Sequence, residues 1–151
     1  MMKNIFDKQV TDEVIKRINK LETSTKPKWG KMSVDQMLAH CNVTYEMVFE
    51  QKHKKPNSFT KLILKLFVKN TVVNDTPYKK NGRTAPQFLI TDTKNFEAEK
   101  KRLIDYLEKT QGLGADYFNC KASHSFGTLS TQEWNNMFYK HIDHHLNQFN
   151  V

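Results

Sequence analysis

The chain has 151 residues, 26% of them charged and 38% hydrophobic, long enough to bury one core and of a polar but globular rather than disordered composition. Five glycines and four prolines disfavour a turn-rich sandwich or barrel, and two cysteines, Cys41 and Cys120, do not make a disulfide framework. The formal net charge is +8, yet the lysines are scattered ("KPKWGK", "KHKK", "YKK", "EKKR") with no aromatic interleaving, helix-turn-helix or zinc-knuckle spacing, so nucleic acid is disfavoured as a partner.

A single domain over residues 1–151 is expected. The longest strongly apolar piece, "LILKLF" at 62–67, is interrupted by lysine and far too short to span a bilayer. No apolar run of signal-peptide length precedes the first amphipathic stretch. A cytoplasmic protein with no membrane partner is the expectation.

In chain order, Val10, Val14, Ile18 and Leu21 form one buried stripe and predict a first helix from about Thr11 to Leu21. "TSTKPKWGKM" breaks it, with Pro27 and Gly30 as punctuation. "SVDQ" opens a second helix through a capping box of Ser33 and Gln36, with Met37, His40, Cys41, Thr44 and Val48 along one side. Residues 58–68 read as a short apolar helix. The segment 72–92 has two prolines, a glycine and no helical period, and reads as a long loop. A third long helix is expected from about Asn95 to Lys109, with Phe96, Leu103, Ile104 and Leu107 inward, and 112–129 as a further loop. "STQE" is a second capping box, Ser130 with Glu133, opening a last helix to about Phe149. No convincing strand is present. Four principal helices predict an all-α, antiparallel four-helix bundle.

The last helix carries three of the six histidines in "HIDHHLNQF". With about 100° per residue and His141 as zero, Trp134 falls near +20°, His145 near +40°, Phe138 near +60° and Ile142 near +100°. His141 and His145 therefore sit inside the apolar stripe. His144 falls at its margin, near about −60°, and Asp143 on the opposite side. Two inward imidazoles four residues apart can chelate one metal ion from one helical turn, and a third ligand should come from another helix. His40, close to the apolar side of the second helix, is the best candidate. Three neutral imidazoles leave a coordination position open. The alternative is a set of core histidines bonded to backbone carbonyls, or to Thr44 and Asn42.

"WGKMSVDQMLAHCN" at 29–42 and "HSFGTLSTQEWNNMFYKHIDHHLNQF" at 124–149 resemble the DinB/YfiT-like superfamily. They look most like its branch with W-G-K-M…Q-M-x-x-H and H-P-x-F-G…K-H-x-x-H-H-L-x-Q-F signatures. The resemblance implies a four-helix bundle, often dimeric, with a divalent metal on His40, His141 and His145, and zinc or nickel is the expected ion. One departure is Ser125, which stands where the branch has proline after His124. His124 is accordingly a weak candidate for a catalytic role, beside the reading of a loop histidine bonded to backbone. Trp29 and Trp134 belong to the motif and are expected to pack the core.

Relatives of this resemblance include transferases and isomerases that use low-molecular-weight thiols. It therefore implies thiol-dependent S-transferase chemistry on a small-molecule substrate, with a metal-dependent hydrolase or a non-catalytic binding or stress protein as alternatives. The residues add exclusions. No glutamate stands in an HExxH pattern beside the histidine pair, which disfavours a zincin-type peptidase, and no phosphate loop or dinucleotide fingerprint appears. Cys41, next to His40, is expected to be an inert buried thiol.

Overall fold

The computed structural model of the protein describes residues 2–151; Met1 lies outside the described residues. The structure is all-α but for one small ladder. Its helices are α1 (Lys8–Asn19), α2 (Val34–Phe49), α3 (Ser58–Phe67), α4 (Lys69–Val73), α5 (Phe96–Phe118) and α6 (Thr131–Gln148). A 3-10 turn covers Pro86–Phe88. The ladder joins β1 (Lys121–Ala122) to β2 (Thr128–Leu129), antiparallel, with Lys121 opposite Leu129.

Helix starts fall where side chains can satisfy the first free amides. Gln36 accepts from the Ser33 N–H at 3.1 Å, so α2 begins at the expected place. At α6 the box is complete: Glu133 accepts from the Ser130 N–H at 2.9 Å and the Ser130 hydroxyl from the Glu133 N–H at 3.3 Å. Asn57 and Asn95 cap α3 and α5 by accepting from Thr60 and Ala98.

Three boundaries differ from the sequence expectation. The first helix starts earlier and ends earlier, leaving Leu21 buried just beyond it. The 72–92 loop is shorter than expected, because Val72 and Val73 close α4 and Pro86–Phe88 form a turn. The 112–129 loop is largely structured: α5 continues to Phe118, and β1 and β2 follow. Glycines at 112 and 114 suggest a helix end, but only Gly114 leaves helical geometry (φ +76°). The chain then turns once more and delivers Phe118 into the core.

Helix α5 packs against α2 and α1, and α6 packs against α2, α1 and α5. The core between them holds Ile18, Leu38, Leu103 and Leu107, with an aromatic stack of Tyr45, Phe138 and Trp134 at centroid spacings of 5.2 and 5.4 Å. Each such side chain contributes roughly 1.5–3 kcal/mol by leaving water. Helix α4 is docked on α6 by Lys140. Its buried ammonium donates to the Thr71 carbonyl at 2.9 Å, the Asn74 carbonyl at 2.6 Å and the Asn74 side chain at 2.8 Å. A cation among the last carbonyls of a helix is favourably placed. Burial still pushes the Lys140 pKa down, to about 8.

Candidate metal centre

α2 and α6 face one another across the core, and the middle of α2 is buried almost without interruption from Met37 to Glu46. His40 lies in that run, and His141 and His145 stand one turn apart on α6. Their ring centroids are 4.5–4.9 Å apart. One ring nitrogen from each lies within 4.8 Å of the others, making a group able to hold a metal ion. His40 and His145 are buried and His141 is partly so.

The other nitrogen of each ring is anchored. His40 Nδ1 donates to the Phe88 carbonyl at 2.8 Å. His145 Nδ1 donates to Gln148 Oε1 at 2.8 Å. His141 Nδ1 lies 2.9 Å from the Thr44 hydroxyl, which can donate or accept. Such partners on the far nitrogen fix the tautomer and orientation of a metal-binding imidazole. Nε2 of His145 has no hydrogen-bond partner among the described residues, while Nε2 of His40 and of His141 are 2.9 Å apart.

That contact constrains the protons. Two bare nitrogen lone pairs at this distance repel, so one must carry hydrogen. The neutral solution is Thr44 O–H donating to His141 Nδ1, and His141 Nε2–H donating to His40 Nε2. Rotating the Thr44 hydroxyl lets the proton sit on Nδ1 instead, and all three Nε2 lone pairs then converge. Charge on the rings is disfavoured: burial first, then the neighbouring histidines, push the pKa of His141 well down, and burial with His40 takes His145 to about 3. Burial also lowers His40. The rings are neutral at pH 7, as metal ligands must be. Two nitrogens on one tetrahedral ion, at bonds of about 2.0–2.1 Å, lie roughly 3.3–3.4 Å apart. The one close pair, at 2.9 Å, lies a little below that value and all three nitrogens lie within 4.8 Å of one another, so the group could hold an ion after small adjustments of the rings.

Two residues the sequence did not single out complete the setting. Phe88, in the 3-10 turn, lies over His40 and edge-on to His141, with centroids at 5.4 and 5.8 Å. Gln148 holds His145 with its oxygen and donates from Nε2 to the Trp29 carbonyl at 2.7 Å. Trp29 is only half-buried, against the expectation of a core role, whereas Trp134 is buried as expected. Gly30 follows with φ +81°, and a Cβ there would meet Gln148 Nε2 at 2.6 Å. The W-G pair and the final Q of the last signature therefore touch, a contact no spacing rule could reveal.

The remaining candidates lie elsewhere. His124 sits between β1 and β2, with Nε2 donating to the His53 carbonyl at 3.2 Å and Nδ1 against the Ser125 hydroxyl at 2.8 Å. His144 lies edge-on to Trp29 and Tyr78, with centroids 5.8 and 5.7 Å away. Asp143 points away from the rings, as projected, and pairs with Arg17 of α1 at 2.6 Å. Asn42 does not reach the histidines but donates to the Glu99 carbonyl and carboxylate. Cys41 is buried against Met37, its pKa raised by burial, and no disulfide is formed.

Fold and rings together define a class: a helical protein in which two facing helices converge three neutral imidazoles on a site that can hold a metal ion. Within it, a family model described as "Protein of unknown function (DUF1569)" matches residues 3–151, and the chain belongs to that family. No curated protein and no solved structure matches.

Proposed function

We propose that the protein is a metal-dependent enzyme of DinB/YfiT-like kind, its long helices α1, α2, α5 and α6 forming a four-helix bundle around a His40–His141–His145 centre. The carrying observation is the anchoring pattern: three Nδ1 atoms bonded outward, Nε2 of His40 and His141 2.9 Å apart, and one nitrogen of each of the three rings within 4.8 Å of the others.

A divalent ion such as zinc or nickel on three neutral imidazoles supplies a Lewis-acid position that lowers the pKa of a coordinated thiol or water. The protein's own residues do the rest. Phe88 O and Gln148 Oε1 hold protons on the outer nitrogens of His40 and His145, and Thr44 holds that of His141. The Phe88 ring keeps bulk water off two of the rings. No carboxylate belongs to the ligand group among the described residues. A general base to direct an attacking water would have to come from outside this group. This favours transfer through a low-molecular-weight thiol to a small electrophilic substrate over hydrolysis.

The test is metal content of tag-free protein purified without chelators, beside His141→Ala. About one transition metal per chain, lost in the variant, is expected. Loaded protein should then couple a small thiol to an electrophile and lose that activity with a chelator. Absence of metal after incubation with zinc or nickel would overturn the metal centre. Ester or amide turnover without added thiol would favour a hydrolase.

A further inference from the structure

α3 is a ten-residue helix whose apolar side faces outward. None of its residues is buried, and its principal neighbour is the short α4. With Phe59 as zero and about 100° per residue, Leu62 falls near −60°, Leu66 near −20°, Ile63 near +40° and Phe67 near +80°. These five make one stripe, and that stripe is the exposed one: Phe59 is 71%, Leu66 63% and Phe67 77% accessible. Leu64 and Lys61, on the opposite side, are partly covered. The helix is therefore packed with its greasy side out.

The charge around it has one sign. Residues 51–74 contain six lysines and no aspartate or glutamate. Lys52 and Lys69 are paired with glutamates of other segments. Lys54, Lys55, Lys61 and Lys65 form no salt bridge among the described residues, and Lys65 borders the apolar stripe near −120°.

We propose that α3 is an interfacial helix that lays its Phe59–Phe67 face on an anionic lipid surface, with the flanking lysines on the phosphates. A second copy of this chain would bring two such lysine clusters against each other, at a cost in repulsion. The stripe is a protruding helix of about 15 Å, a shape that sinks readily into a headgroup layer. Lysines beside an apolar stripe extend their charges to the interface while their stems stay in contact with it. The expectation of no membrane partner came from the absence of a spanning segment, and no described helix is long and apolar enough to cross a membrane. Lying on a surface asks for a different pattern: a strong apolar face on a short helix, with basic flanks.

The test is flotation of the full chain with vesicles of phosphatidylcholine alone and with about 30% phosphatidylglycerol, at low and high salt. Two variants accompany it, Phe59→Ser/Leu66→Ser and Lys54→Glu/Lys55→Glu/Lys65→Glu. All five positions are exposed, so unchanged circular dichroism is expected. Wild type should float only with the anionic vesicles and less so at high salt, and each variant should reduce partitioning by about tenfold or more. Wild type remaining unbound at low salt would overturn the proposal. So would full retention of binding by the serine variant, which would indicate adhesion by charge alone. A wild-type dimer in sedimentation velocity that the serine variant dissociates would assign the face to a second copy instead.

Discussion

Gly30 and Gly114 share a left-handed backbone but not a neighbourhood, and the pair separates two costs. Both have φ near +80°, at +81° and +76°. An alanine at either position is strained by about 1–3 kcal/mol, Gly114 with its ψ of 171° lying in a region that is essentially glycine's alone. At Gly114 nothing lies within 4 Å of the added Cβ, so strain is the whole effect. At Gly30 the Cβ falls 2.6 Å from Gln148 Nε2, and the amide must move. Moving a flexible amide is sterically cheap, but this one is buried and bonded at both ends. Its departure leaves the His145 Nδ1–H and the Trp29 carbonyl short of partners, at roughly 1–3 kcal/mol for a group left unsatisfied. Gly30→Ala should therefore cost about 3–9 kcal/mol, a large part of a total stability of about 5–15 kcal/mol. Gly114→Ala should cost only the strain. Metal affinity should separate them further: freeing His145 from its anchor weakens binding by about 10–100-fold in Gly30→Ala and leaves Gly114→Ala unchanged. Urea midpoints of the metal-free proteins and competition with a chromophoric zinc chelator read the two effects. Equal losses of stability and equal metal affinities in both variants would refute the linkage from Gly30 through Gln148 to His145.

Thr44→Val keeps the shape but removes the hydroxyl that serves either tautomer of His141, and zinc affinity measured by competition should fall by about 10–100-fold. Acid should destabilise the metal-free protein, because the buried histidines have folded-state pKa values below the ordinary value of 6.5. The unfolded chain then takes up protons first as pH falls through 6.5, so the stability present above that pH is lost below it. With His145 at about 3 in the fold, this ring alone removes about 2 kcal/mol between pH 7.5 and pH 5, and His40 and His141 act in the same direction. Urea midpoints that stay flat across that range would contradict burial of neutral rings. Leu107→Ala, in the core on α5, should cost about 2–5 kcal/mol in urea unfolding without changing the metal content per chain.

Local chemistry and periodicity carried much of this structure into the sequence. Ser33 and Ser130 marked two helix starts because capping is settled within four residues. His141 and His145 could be placed on the inward face of α6, and Asp143 away from it, because a helix imposes its own angles. The misses depended on contacts between distant segments. Phe88 has no periodic neighbours that would mark it as a cover for two imidazoles. Gln148 looks like an ordinary polar residue at a helix end until the Trp29–Gly30 corner is packed beneath it. The extension of α5 past Lys109 was hidden because glycine usually ends helices. Here Gly114 provides the kink after which one more turn buries Phe118. The apolar stripe of α3 was visible, but whether it faced the core or the solvent was not.

The hydroxyl of Thr44 also has a consequence in time. Metal uptake as proposed would require the proton lying between His141 and His40 to be relocated, and the hydroxyl to turn from donor to acceptor while Phe88 covers the rings. Two of the three imidazoles are almost out of contact with water, so exchange depends on transient opening of the 3-10 turn or of the helix pair. Loading and loss should then be slow compared with simple diffusion, and loading should show a solvent deuterium effect. An ion held as proposed would report the site's history, being the one available when the helices closed.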